Sequence, residues 1–131
     1  MAGLQVVIVT PEKTALDVKC EFVALPLVDG EIGVLAGHAP TIGRLGFGEM
    51  RVRDGGKTNR YYIDGGFVQI ADNSVSVLTG RAMDVADLDA DEIRQRLGEA
   101  EAVTDATGSE AAIRRQTIDQ AKAQLRMLEK V

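Results

Sequence analysis

Along residues 1–84 the apolar positions either alternate with polar ones or fill short runs, whereas along residues 85–131 they recur every third or fourth residue. The first rhythm belongs to strands and the second to helices. Leu4 to Thr10 is short, apolar and β-branched, and reads as an opening strand. Val18 to Val28 alternates at first and then becomes apolar throughout. Glu49 to Arg53 alternates strictly, with Met50 and Val52 on one face. Asp54-Gly55-Gly56 is a hairpin turn signal, because glycine tolerates positive φ. Tyr61 to Ile63 and Gly66 to Ala71 read as two further strands with Asp64-Gly65 between them. Asp72-Asn73 marks another turn, and Ser74 to Leu78 resumes the alternation. Short strands at close spacing with glycine-rich turns predict a β-sandwich or flattened barrel.

The second segment predicts two helices. Asp89-Ala90-Asp91-Glu92 starts the first, with Asp at the cap and acids where the helix dipole is positive. Ile93, Leu97 and Ala100 follow on one face. Thr104 to Ser109 breaks the pattern, and Thr107 with Glu110 has capping-box spacing for the second helix. There Ala111, Ile118, Ala121, Leu125 and Leu128 form one apolar stripe, spaced as in a two-helix seam. Glu110 to Glu129 gives ~30 Å of helix at ~1.5 Å per residue.

Composition sharpens the boundary. Twelve of the 14 glycines, all three prolines and all five aromatics lie in residues 1–84, so the chain is expected to join a β unit, 1–84, to a helical unit, 85–131. Charge divides the helical unit. Residues 85–108 carry seven acids against two arginines, and residues 109–131 five basic residues, Lys130 among them, against three acids. Opposite charge suits an antiparallel hairpin, yet exposed pairs contribute only ~0–1 kcal/mol each. A narrow seam with so little electrostatic support predicts a marginal hairpin that could open onto a better surface.

The formal net charge of −5 argues against nucleic-acid binding, which uses a basic stripe with aromatics beside it. No apolar run approaches the ~20 residues that span a bilayer, so membrane association is expected only through a partner. The start at Met1 lacks a basic segment ahead of an apolar core, which predicts no signal peptide and favours a bacterial protein over a mitochondrial precursor. The single cysteine, Cys20, shares the parity of Val18 and Phe22 and reads as a buried structural thiol.

No catalytic constellation emerges. One histidine and one cysteine cannot make a zinc site of the usual kind. Neither a Gly-x-Ser-x-Gly elbow nor a Walker-type phosphate loop occurs. Gly43-Arg44-Leu45-Gly46-Phe47-Gly48 opens no helix and reads as turn geometry. His38 in Gly37-His38-Ala39-Pro40 has no nucleophile near it in sequence, which leaves a structural or interface role. Asp29 and Glu31 flank Gly30 as solvated turn carboxylates. The basic residues of the second helix suit an acidic protein surface or a phosphate, or else a solvated face.

The run Asp29-Gly-Glu-Ile-Gly-Val-Leu-Ala-Gly-His-Ala-Pro40 closely resembles the signature of the epsilon family of F-type, proton-translocating (or sodium-translocating) ATP synthases. That family has Gly-Glu/Gln-Ile/Leu-Gly-Ile/Val-Leu-Pro-Gly-His-Ala-Pro, with Ala36 here replacing a proline. Its continuation, a Gly and an alternating Arg-Ile/Val-Arg strand, is matched by Gly48-Glu49-Met50-Arg51-Val52-Arg53. Val9-Thr10-Pro11-Glu12, Asp64-Gly65-Gly66-Phe67-Val68, Ser76-Val77-Leu78-Thr79 and Ala123 to Glu129 resemble further family segments in order.

The resemblance implies a ten-stranded β-sandwich followed by an antiparallel two-helix hairpin. It implies a non-catalytic central-stalk subunit, bound to gamma and touching the c-ring, on the cytoplasmic face of a bacterial inner membrane. It assigns Glu31 to the c-ring contact and His38, Ala39 and Pro40 to the stalk interface. It assigns Arg114, Arg115, Lys122 and Arg126 to contacts with the beta subunit when the hairpin extends into the alpha–beta head and inhibits ATP hydrolysis. Some members bind ATP through Ile/Leu-Asp-x-x-Arg-Ala on the hairpin. Here Leu88 and Asp89 remain, but Glu92-Ile93 replaces Arg-Ala, so ATP binding is expected to be weak or absent and no cofactor is expected. Two other classes stay open on the residues alone: an independent ATP-sensing module, and an unrelated small β-sandwich binding protein.

Overall fold

The structure, a computed structural model, describes residues 3–129; Met1, Ala2, Lys130 and Val131, including the chain start and one of the basic residues counted above, lie outside the described residues. The chain divides into two compact units, residues 1–84 and residues 85–131.

The first unit is a β-sandwich of strands β1 (Leu4–Val9), β2 (Thr14–Cys20), β3 (Phe22–Leu27), β4 (Gly30–Leu35), β5 (Thr41–Asp54), β6 (Lys57–Ala71), β7 (Ser74–Leu78) and β8 (Ala82–Asp84). Their hydrogen-bonded order is β2-β1-β7-β6-β5-β3-β4, with β8 on β6. Eight strands stand where ten were expected, because β5 and β6 each pass through both layers. The first part of β5 and the last part of β6 join β7, β1 and β2; the other parts join β3, β4 and β8.

Several sequence expectations change accordingly. Val18 to Val28 is two strands, broken by a bend at Glu21. Tyr61–Ile63 and Gly66–Ala71 are parts of one strand, since the pairing register with β5 holds from Thr41↔Ile70 to Asp54↔Lys57. Gly43 to Gly48 is strand, not turn. The glycines there make room for packing. Five residues of β5, 46–50, lie opposite only Leu25 and Pro26 of β3, and a Cβ on Gly48 would sit 2.9 Å from the Pro26 Cβ. Pro26 also has no N–H to donate, so the ladder opens where β5 bends.

The core lies between the layers. Leu4, Val6 and Ile8 of β1 meet Val23 and Leu25 of β3, Met50 and Val52 of β5, Ile63, Val68 and Ile70 of β6, and Val75 and Val77 of β7 in one buried cluster. Cys20 belongs to it as expected, and burial pushes its thiol pKa up. The turn at Gly55-Gly56 closes the β5–β6 hairpin with φ of 60° and 80°, the left-handed geometry that its twist requires.

The second unit has a short 3-10 turn, Val85–Asp87, then α1 (Ala90–Ala102) and α2 (Ser109–Glu129). Asp89 caps α1 as expected, accepting from the Asp91 and Glu92 amides at 3.0 and 3.3 Å. The capping box expected at Thr107 is not formed: the first helical bond of α2 runs from the Ala112 amide to the Gly108 carbonyl, which leaves Gly108 at the cap. Ile118 and Ala121 are buried as the stripe requires, while Ala111, Leu125 and Leu128 are only half-buried. Ala123, Gln124 and Met127, outside the stripe, are buried as well.

Gly66 has φ 107°, and a Cβ there would lie 2.9 Å from the Leu78 carbonyl carbon and the Thr79 Cα. Backbone cannot yield as a flexible side chain does. Gly66→Ala is expected to cost about 3 kcal/mol or more, read as a lowered urea midpoint; an unchanged midpoint would contradict this account of the bend.

Candidate functional site

The signature residues occupy two separate places. Glu31 is not in a turn, as expected from Gly30, but is the second residue of β4. His38, Ala39 and Pro40 follow the other end of that strand. Four steps of strand, ~13 Å at ~3.3 Å per residue, separate Glu31 from Leu35, after which the loop begins. The two regions therefore lie at opposite ends of β4.

Glu31 is held in a bidentate pair: Arg51 Nη1 donates to Oε2 at 3.0 Å and Nη2 to Oε1 at 2.8 Å. Arg51 Nη1 also donates to Glu49 Oε1 at 3.2 Å. Arg60 Nε donates to Glu49 Oε2 at 2.6 Å. The row has a register reason. Arg51 and Arg60 are direct partners on β5 and β6, and like charges across a ladder repel. Glu49, two residues along β5 on the same face, bridges them. Its side chain is 6% exposed, against 30% for Arg51 and 50% for Glu31. The hydrogen bond to Glu31 is the main reason the Arg51 pKa is raised further. Four compensated charges thus end at the rim on a half-exposed carboxylate. Sequence reading found Glu31 and missed its supports. The signal was available in Glu49-x-Arg51, whose polar positions alternate with core positions Met50 and Val52.

The loop after β4 is fixed from both sides. Gly37, with φ 87°, donates its amide to Asn73 Oδ1 at 2.7 Å. The His38 amide donates to the Leu35 carbonyl at 3.2 Å, and its Nδ1 lies 2.7 Å from the Ala39 carbonyl oxygen. Thr41 Oγ1 donates to that same carbonyl at 3.0 Å. Ala39 and Pro40 are left exposed at the tip. The His38 ring and the Thr41 hydroxyl thus both bind the loop's own backbone at the Ala39 carbonyl.

On the hairpin the four basic residues separate. Arg115, Lys122 and Arg126 are exposed and spaced seven and four apart, so they share one face of α2. Asp119 lies within the same stripe. Arg114 is half-buried and turned toward α1: Nε donates to the Ala100 carbonyl at 2.9 Å and Nη2 to the Glu101 carbonyl at 3.4 Å. It adds a second donor to the Ala100 carbonyl, which also accepts the Val103 amide at 3.4 Å, and a donor to the Glu101 carbonyl in the last turn of α1. Arg96 Nη1 donates to the buried Gln124 Oε1 at 3.1 Å, a second polar tie across the seam. At the other end of α1, Asp89 is committed to its cap, the exposed Glu92 follows, and Ile93 is buried. Leu88 is half-buried beside them.

Among the described residues no group of three or more His, Cys, Asp or Glu side chains could hold a metal ion. Asp89 already accepts the amides that an anion would seek at the start of α1, and Glu92 adds negative charge there. The arrangement suits protein contact.

The family model described as ATP synthase, Delta/Epsilon chain, beta-sandwich domain matches residues 3–85. The chain is 47% identical over 124 residues to the ATP synthase epsilon chain of Rhodopirellula baltica, covering 95% of this chain and 97% of that protein. It is 42% identical over 103 residues to that of Granulibacter bethesdensis, covering 78% and 76%. A chain of the Euglena gracilis mitochondrial ATP synthase structure with OSCP, F1 and c-ring superposes with TM-score 0.90 at 24% identity, over 98% of this chain and 83% of that one. That likeness speaks to the fold.

Removing the Arg114 contacts should loosen the hairpin while leaving the exposed stripe untouched. Arg114→Ala is expected to lower protection of α1 and α2 amides in hydrogen exchange by about 1 kcal/mol, and Arg115→Ala to stay within about 0.5 kcal/mol of the parent. Equal protection in the two variants would contradict the capping role.

Proposed function

The chain belongs to the ATP synthase delta/epsilon family, and on that premise we propose that it works as the epsilon subunit, an accessory and non-catalytic part of the central stalk that couples the catalytic head to the c-ring through gamma. The observation that carries this is the match to an epsilon chain across both units, β-sandwich and hairpin together. The sandwich is the docking unit: Glu31 meets the polar loops of the c-ring, and the His38–Pro40 tip meets the stalk. Their separation along β4 supports two partners engaged at once.

The hairpin is the regulatory unit. Extended, it reaches the alpha and beta subunits and inhibits ATP hydrolysis, with Arg115, Lys122 and Arg126 meeting an acidic surface of beta. Arg114 joins them only after leaving the α1 carbonyls, so its release accompanies opening. A stripe of three cations and one acid, Asp119, spread over three helical turns favours an extended acidic protein surface over the single phosphate chain of a nucleotide. ATP binds the hairpin weakly or not at all, because Glu92 puts an anion where the nucleotide-binding motif has its arginine, and the retained Asp89 is committed to the cap of α1. No helix among the described residues is long and apolar enough to cross a membrane; the subunit is peripheral, held at the cytoplasmic face of a bacterial inner membrane by the complex.

Deleting residues 85–131 from the assembled enzyme is expected to raise ATP hydrolysis severalfold while proton pumping per ATP is kept. Unchanged hydrolysis would remove the inhibitory role and leave coupling alone. Calorimetry on the intact chain should show ATP affinity no tighter than about millimolar, on the order of −4 kcal/mol; micromolar binding would favour the nucleotide-sensor reading instead.

A further inference from the structure

We propose that Arg51 is the positioning residue for docking through Glu31, so that Glu31 meets its partner as half of a preformed ion pair anchored on the buried Glu49. This rests on the reading of Glu31 as a docking carboxylate. A glutamate at a sheet rim has three side-chain torsions to fix before it can make a directed contact. Here the Arg51 fork meets both of its oxygens, at 2.8 and 3.0 Å, and so sets the carboxylate plane. A bidentate guanidinium does this as a single ammonium cannot. Arg51 is fixed in turn by Glu49, which is fixed by Arg60 at 2.6 Å. The geometry passes from a 6% exposed carboxylate out to a 50% exposed one.

The same row defines the chemistry of the partner surface. Two carboxylates and two guanidiniums sum to no net charge, so the rim exerts little long-range pull on a cation. What remains is a planar, oriented acceptor at short range. That surface fits a polar loop offering amide or guanidinium N–H donors. Docking through it depends weakly on salt, whereas a lone rim carboxylate would depend on salt strongly.

The test is binding of gamma carrying the full-length chain to immobilised c-ring, measured from about 50 to about 300 mM KCl, over which the screening length falls from ~14 to ~6 Å. For the parent the expected fall in affinity across that range is less than about twofold, and for Arg51→Gln about tenfold. Arg51→Lys keeps the charge and loses the fork; it is expected to keep the shallow salt dependence and bind about fivefold more weakly throughout. Melting temperatures checked on each variant separate misfolding from mispositioning, and Arg51→Lys serves if Arg51→Gln does not fold. Parent-like affinity and salt dependence in either variant overturns the positioning role. If Glu31→Gln binds as the parent does, the docking reading itself fails. If Glu31→Gln weakens binding while both Arg51 variants match the parent, only the positioning proposal fails.

Discussion

Two long strands shared between the layers hold the β unit together. β5 and β6 pair in a single register from their glycine hairpin to their far ends, and they change layer where side chains are missing. At Gly66 the backbone of Leu78 and Thr79 comes within the volume that any Cβ would fill, and at Gly48 the Pro26 ring does. That close approach lets one hairpin supply a wall to both layers and enclose the core of β1, β3 and β7. It also sets the polar face, since the register that puts Met50 and Val52 inside places Glu49, Arg51 and Arg60 together on the opposite side.

Charge is used in two ways in the chain. Along the sandwich it is compensated: Glu31, Arg51, Glu49 and Arg60 alternate in sign and are paired by direct hydrogen bonds. Removing a partner of the buried Glu49 weakens the compensation of its charge, which costs more than an exposed pair contributes. Along α2 it is only partly offset: Arg115, Lys122 and Arg126 project from one exposed face with Asp119 as the single acid among them. The first arrangement gives orientation, the second gives attraction. Arg114 stands between them, as a cation held by carbonyls of α1 while the hairpin is closed.

Much of this was legible in the sequence. A short β-branched apolar run marked β1, period-two alternation marked β7 and the core positions of β5, and the acid-led start of α1 was readable because Asp89 caps by a local rule. The Gly30–Pro40 run carried the family. The errors came where local signals met tertiary demands. Gly43, Gly46 and Gly48 looked like turn residues because their role is to accommodate Leu27 and Pro26, which no local pattern announces. Asp64-Gly65 looked like an interruption because a bent strand and two short ones share the same composition. The seam of α2 was half right, since Ala123 and Met127 are buried outside the stripe. Arg51 was seen only as part of a strand, because its partner Glu31 lies two strands away in the sheet.

The most direct measurement is recovery of the tagged full-length chain from its native cells under mild detergent, with the co-purifying polypeptides identified. The expected result is stoichiometric gamma together with alpha, beta and the c-ring. A folded chain recovered without gamma, from cells whose ATP synthase is intact, would contradict the assignment as a central-stalk subunit.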